Sequence, residues 1–382
     1  MPPLPYWRLS GFYFFYFAFV GAMAPFWGLY LQSLHFTALQ IGILMSLFQV
    51  MRIFAPNVWG WWADRAGRRV QIVRFTAICC LVSYLGVFVG SGFLWLFFVM
   101  SALSFFWSAS MPLVEATTLS HLGEHPAGYG RIRLWGSIGF IFAVVGVGYT
   151  LDFFAVPILL WIVLAFILGM VIFSRQIPEA GFVQTGGDGL SAWKILKSPP
   201  VAKLLAACFL MSLAHGPYYT FFSIYLVEQD YAKSTVGLFW ALGVISEIVV
   251  FMFLPHLFRR FSLRHILLMS FALAILRFLL IGWGITWISL LIFAQILHAA
   301  TFGAYHGAAV ALIHQSFKGQ TQAQGQALYN SLSFGLGGTI GGIYSGYTWE
   351  TLGAGMTFTI SAICAALGLL LLWSAKRQAL AH

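Results

Sequence analysis

Charge is scarce in this 382-residue sequence: Asp, Glu, Lys and Arg make up 8% of it, while apolar residues make up 60%. Only 10 residues are acidic, against 20 Lys and Arg. Soluble domains keep roughly a quarter of their residues charged. This composition, with a mean hydropathy of +0.88, excludes an ordinary globular fold. Cysteine is sparse too. Cys79, Cys80, Cys208 and Cys364 fall in apolar stretches, at spacings that suit neither a disulfide framework nor a zinc site. They are expected to pack as small apolar side chains. No P-loop occurs, so a primary pump is excluded, and no metal or other cofactor is implied. A cleavable signal peptide is not evident, because Met1–Pro5 lacks a charged start and Ser10–Leu31 forms a full span.

What is present is a series of apolar runs, each long enough to cross a hydrocarbon core of about 30 Å. They are expected at 8–32, 39–62, 70–90, 93–121, 131–151, 155–174, 200–227, 234–256, 263–283, 286–314, 324–348 and 352–374. The fold class is therefore an all-α membrane protein of twelve transmembrane helices. The longest polar interruption, Arg175 to Pro200, contains Gln184–Gly189 and divides the spans six and six. An N-terminal half (1–174), a linker (175–199) and a C-terminal half (200–382) follow from that division.

The net charge of +10 could point to nucleic acid, but its placement does not. Arg65, Arg68, Arg69, Arg74, Arg131, Arg133, Arg175, Lys194, Lys197 and Lys203 fall on one side of the expected topology. So do Arg259, Arg260, Arg264, Lys318, Lys376 and Arg377. The opposite loops hold Lys233 beside Asp152, Glu228, Asp230 and Glu350. That bias places both termini in the cytoplasm. The partners expected are membrane lipid and a small molecule, with no nucleic acid, and the chain is expected to act as a monomer in a bacterial-type inner membrane.

Four charges stand inside apolar runs: Arg52, Glu115, Glu247 and Arg277. A charge near the bilayer centre costs roughly 2.5–3.5 kcal/mol on insertion scales, so such residues are functional candidates by default. Arg133, at the start of span five, is placed to meet Glu115 on span four. His298, Thr301, Phe302, Tyr305 and His306 share one face of span ten at helical spacing. His215 lies at mid-depth on span seven, close to Pro217 and Tyr218. A lone buried histidine is more often a packing donor than a site residue, but several near buried acids form a candidate site. A bis-histidine haem bundle is the rival use of such histidines.

The strongest local motif is Gly60-Trp61-Trp62-Ala63-Asp64-Arg65-Ala66-Gly67-Arg68-Arg69, between spans two and three. It resembles the G-x-x-x-D-R-x-G-R-R loop signature of the major facilitator superfamily, whose fold has two six-helix halves around a central path. Gly60 is expected to let helices approach closely, Gly67 to permit a turn, and Asp64, Arg65 and Arg68 to help gate the path. Gly130-Arg131-x-Arg133, Val114-Glu115-Ala116, Glu247, Arg277 and His298 resemble lactose permease and its proton-coupled relatives. A nearer likeness is to the phenylpropionate permease branch. It rests on Tyr129–Ser137, Ala214-His215 with Tyr218-Tyr219, Gln295–His298, and Arg52.

The resemblance implies a proton symporter for an aromatic carboxylic acid. Arg52, Glu115, Arg133, Arg277, His215 and Tyr218 would bind substrate, and Glu247, His298 and His306 would couple protons. One position departs from the pattern: Thr301 stands where lactose permease has a proton-handling carboxylate, which leaves Glu247 as the expected proton carrier. A sugar or nucleoside symporter, and a membrane enzyme or scaffold, are the alternatives. The enzyme would need a nucleophile with its base or a metal set, and neither is evident. If Asp64 helps hold a gate, Asp64→Asn should slow transport in proteoliposomes while leaving substrate binding intact. Normal turnover would reduce the loop to a topological signal.

Overall fold

An apolar run surrounded by hydrocarbon must satisfy its own N–H and C=O groups, and an α-helix does so within one segment. In the computed structural model the described residues are 4–123, 128–180, 195–318 and 321–374, without the Asp64 side chain. The Gln184–Gly189 stretch, Lys194, Lys376 and Arg377 lie outside them, as does the carboxylate on which the Asp64 gating expectation depends. The first six helices are α1 (Tyr6–Ser33), α2 (Ala38–Ala66), α3 (Arg69–Leu85), α4 (Phe93–Leu122), α5 (Tyr129–Phe153) and α6 (Ile158–Gln176). They are followed by α7 (Pro199–Ala214), α8 (Gly216–Glu228), α9 (Lys233–Arg260), α10 (Leu263–Trp283) and α11 (Ile288–His298). After these come α12 (Tyr305–Ser316), α13 (Gln322–Asn330) and α14 (Gly338–Ser374). A π-helical turn, Ala299–Ala304, joins α11 to α12, and a second, Ser331–Gly337, joins α13 to α14.

Among the described residues, 11 helical runs are long and apolar enough to cross a membrane. The sequence leads one to expect twelve. The difference lies in the last run, Gln322–Ser374, whose 53 residues would reach about 80 Å if straight. The helix continues through Trp349 to Thr351, where a loop is expected, and breaks only at Gly353 (φ 81°, ψ 170°). That left-handed φ is open to glycine at little cost. The seventh span also differs, being interrupted at His215 between α7 and α8. Pro217 lacks an N–H and its ring crowds the preceding turn, which accounts for the break.

The chain divides into two compact units. The first comprises Met1–Phe36, Phe54–Thr185 and Tyr231–Leu238; the second comprises Thr37–Ile53, Gly186–Asp230 and Phe239–His382. In the first unit, small residues draw α1 onto α5: a Cβ on Gly21 would fall 2.7 Å from the Phe140 carbonyl oxygen. Tyr84 on α3 donates to the Leu160 carbonyl of α6 at 2.9 Å, and Trp59 on α2 to that of Phe105 on α4 at 3.1 Å. Gly148 of α5 meets the first turn of α9, where its Cβ would lie 2.6 Å from the Lys233 carbonyl oxygen. Just beyond, the Asp152 carboxylate accepts from the backbone N–H of Lys233 at 2.8 Å and of Ser234 at 3.2 Å. Those N–H groups have no partner within their own helix.

The second unit repeats the close packing with different residues. A Cβ on Gly42 of α2 would sit 2.5 Å from the Gly342 carbonyl oxygen of α14, and one on Gly346 would sit 2.5 Å from that of Ala38. The start of α2 is closed differently, by a reciprocal capping box in which the Thr37 hydroxyl and Gln40 amide each accept a backbone N–H. Gly67 ends α2 at φ 63°. Gly60, expected to permit close helix approach, has no neighbouring atom within 4 Å of an added Cβ. The requirement for a small residue there is not one of packing in this conformation. Replacing the Asp152 cap by alanine should cost about 0.5–2 kcal/mol of stability. Asn should retain most of it, as measured by unfolding in detergent. Equal stability of wild type and Asp152→Ala would show that water replaces the carboxylate fully.

Candidate functional site

The second unit holds a buried polar cluster drawn from several helices. α10 contributes Arg277, the break between α7 and α8 contributes His215, α8 contributes Tyr218, α9 contributes Glu247, and α11 with its π turn contributes Gln295, His298 and Thr301. Arg277 is 0% exposed, as are Gln295 and Thr301. Its Nε donates to the Ala294 carbonyl at 3.0 Å, and its Nη1 to the Thr301 hydroxyl at 3.4 Å. The guanidinium carbon stands 4.2 Å from the centroid of the Tyr218 ring. Such cation–π contacts contribute about 0.5–2 kcal/mol.

The His215 tautomer follows from its bonds. Nδ1 lies 2.8 Å from the Met211 carbonyl, an acceptor, so it carries the proton. Nε2 then offers a lone pair to Arg277 Nη1 at 3.4 Å. These contacts use Nε and Nη1, but Nη2 has no hydrogen-bond partner. Burying an unsatisfied N–H group costs about 1–3 kcal/mol and more when the group is charged.

His298 Nε2 meets Glu247 Oε1 at 2.6 Å, a short distance of the kind seen when one partner is charged. Nδ1 of His298 has no partner. The expected polar stripe on span ten separates into two. The His298 ring stacks on Phe302 at 5.3 Å and Phe302 on His306 at 6.2 Å, whereas Thr301 turns to Arg277 and Tyr305 to the Cys208 carbonyl. The wider π turn places these residues, and such turns are frequent at functional sites. His306 bonds to the Tyr329 hydroxyl at 3.0 Å, with Phe302 between it and His298. Arg52, in the same unit, interacts electrostatically with Tyr219.

Glu115 and Arg133 belong to the first unit. Glu115 accepts from the Tyr129 hydroxyl at 3.0 Å, and the Arg133 guanidinium lies 3.9 Å over the Phe17 ring. Each thus has a partner other than the facing charge expected for it. In the last turn of α2, Arg65 lies 5.5 Å from the Trp61 ring, and in the loop after it Arg68 precedes the first residue of α3. Two features escape the sequence reading. Gln295 is visible there only within the Gln295–His298 resemblance, although a mid-span amide three residues before a histidine is itself a signal. Gly243 gives no signal at all, yet it faces this cluster: its Cβ would lie 3.3 Å from the His298 ring and 3.5 Å from Gln295 Oε1.

Residues 6–360 match the family described as MFS_1 like. The chain is 30% identical to a probable 3-phenylpropionic acid transporter of Escherichia coli, over 94% of each chain. It is 27% identical to a maltose permease of Geobacillus stearothermophilus, over 96% of this chain and 94% of that one. The crystal structure of the nucleoside transporter NupG superposes with a TM-score of 0.84 at 20% identity, covering 98% of both chains. At that identity the likeness is one of fold.

Proposed function

The chain belongs to the MFS_1 like family, whose matched relatives are major facilitator transporters, and from that premise we propose that it carries a small aromatic carboxylic acid together with a proton. The cargo crosses a bacterial-type inner membrane by alternating access, with the protein acting as a monomer and both termini in the cytoplasm. The observation that carries this reading is the wholly buried Arg277 with its Nη2 unused. A guanidinium edge matches a carboxylate in charge and geometry. Thr301 supports it: a carboxylate at that position would neutralise Arg277, whereas a hydroxyl accepts one N–H and leaves the charge available. Tyr218, Trp240 and Phe302 surround the cluster with flat apolar faces suited to an aromatic ring. The phenylpropionic acid relative agrees with both features.

Twelve crossings in two six-helix halves belong to the same proposal. Counting the two sides of Gly353 separately gives the twelfth. Matching end contacts support the halves. Arg8 donates to the carbonyl of Gln176, the last residue of α6, and Lys203 to that of Ser374, the last residue of α14. Glu247, paired with His298, carries the proton. The gating residues of the α2–α3 loop, and Glu115 and Arg133 on the substrate path, keep the roles that their resemblance implies.

Uptake into proteoliposomes tests this against aromatic acids, sugars and nucleosides, the last two being the cargo suggested by the maltose and nucleoside relatives. Aromatic acids should accumulate when a pH gradient is imposed. Glu247→Gln holds the carrier in a protonated-like form, so it should lose accumulation yet keep exchange of labelled for unlabelled acid. Uptake of sugars or nucleosides alone would replace the acid reading. Retained uphill transport in Glu247→Gln would move the proton role to His298, His306 or Glu115.

A further inference from the structure

Gln295 is a member of the buried cluster whose amide is bonded at one end only. It is 0% exposed. Its Oε1 accepts from the Tyr218 hydroxyl at 2.9 Å, while its Nε2, with two N–H donors, has no partner. Tyr218 is itself 1% exposed, with its ring under the Arg277 guanidinium. One tyrosine therefore links both groups: Arg277 lies over its face and Gln295 is bonded to its hydroxyl. Gly243 lines the same place, and a side chain there would press on His298 and approach the Gln295 amide. A buried amide with one end fixed and the other end idle is costly unless a ligand supplies the acceptor.

We propose that Gln295, held by Tyr218, is a cargo-reading residue whose Nε2 donates to an oxygen of the carboxylate held by Arg277 Nη2. The inference rests on the preceding reading that this cluster binds an acid, and it deepens that reading by naming a second donor. A carboxylate has two oxygens, each with room for several hydrogen bonds, and accepts from both groups without needing a second charge. One guanidinium and one amide at this place discriminate by hydrogen bonding with a single full charge. Tyr218 acts as a positioning residue for Gln295, because its hydroxyl fixes which end of the amide faces the cargo. Gly243 leaves room beside the Gln295 Oε1 that Tyr218 holds, since a Cβ there would lie 3.5 Å from that oxygen.

The test is equilibrium binding to the purified full-length protein, with 3-phenylpropionic acid and 3-phenylpropanol as probes. The two share a ring and chain and differ in the carboxylate. Wild type should prefer the acid. Gln295→Leu should weaken acid binding about 10- to 100-fold, the range for a hydrogen bond to a charged partner, and leave alcohol binding nearly unchanged. A purely structural role would move both ligands equally. Gln295→Glu, close to Gln in shape but with an oxygen in place of the N–H₂, should bind the acid more weakly than Gln295→Leu. Tyr218→Phe should weaken acid binding in the wild-type background and have little further effect in Gln295→Leu. Equal acid affinity in wild type, Gln295→Leu and Gln295→Glu would overturn the inference while leaving the acid reading intact. Failure of wild type to prefer the acid would overturn both. If Gln295→Leu does not fold, the Gln295→Glu comparison decides the matter.

Discussion

A guanidinium with no exposure to solvent is the constraint on which the second unit depends. Arg277 is fixed in its charge, so its burial must be compensated locally. The compensation includes the Ala294 carbonyl, the Thr301 hydroxyl, the acceptor nitrogen of His215 and the face of Tyr218, and the Glu247 carboxylate adds an electrostatic attraction. Each fixes a neighbour in turn. His215 can accept only because its other nitrogen donates to Met211, beside the break between α7 and α8. Thr301 is within reach because the π turn after His298 rotates it toward α10. The remaining Nη2 is where the compensation stops, and the proposed cargo carboxylate would complete it.

The same economy governs the rest of the chain. Helix backbones satisfy their own polar groups, so neighbours pack by close approach rather than by hydrophobic attraction. Glycine makes that approach possible at Gly42 against Gly342, Gly346 against Ala38, and Gly148 against Lys233. Where a helix end lacks a cap of its own, another element supplies it, as Asp152 does for α9. Four basic side chains serve the opposite need at helix C-termini. Arg8 and Arg74 donate to carbonyls at the end of α6, and Arg264 and Lys203 to those at the end of α14, where the helix dipole favours a cation.

Much of this is legible in the sequence. Long apolar runs locate the spans to within a few residues, because the length needed to cross hydrocarbon leaves little freedom. Arg277, Glu247, His298, His215 and Tyr218 can be selected because ionisable and aromatic residues in such runs are conspicuous. Partnership is less legible. Glu115 and Arg133 have matching charges and adjacent spans, yet one takes a tyrosine hydroxyl and the other a phenylalanine face. Which face a residue presents depends on helix rotation, and that is set by packing far along the chain. The π turns are hidden for the same reason, since an α-helical spacing rule cannot register a turn widened by tertiary packing. Gln295 goes unselected because an amide has no charge to betray it, although burial makes its idle donors nearly as demanding.

Imposing a pH gradient and a membrane potential separately on proteoliposomes bears most directly on Arg277 as the receptor of an anion. A monocarboxylate moving with one proton carries no net charge. Its accumulation should then follow the pH gradient, at about 1.4 kcal/mol per unit, and be indifferent to the potential. A neutral cargo with one proton would carry a positive charge and gain about 2.3 kcal/mol per 100 mV. Uptake of an aromatic acid driven by the pH gradient alone is the result this account predicts. Uptake driven strongly by potential alone would contradict it.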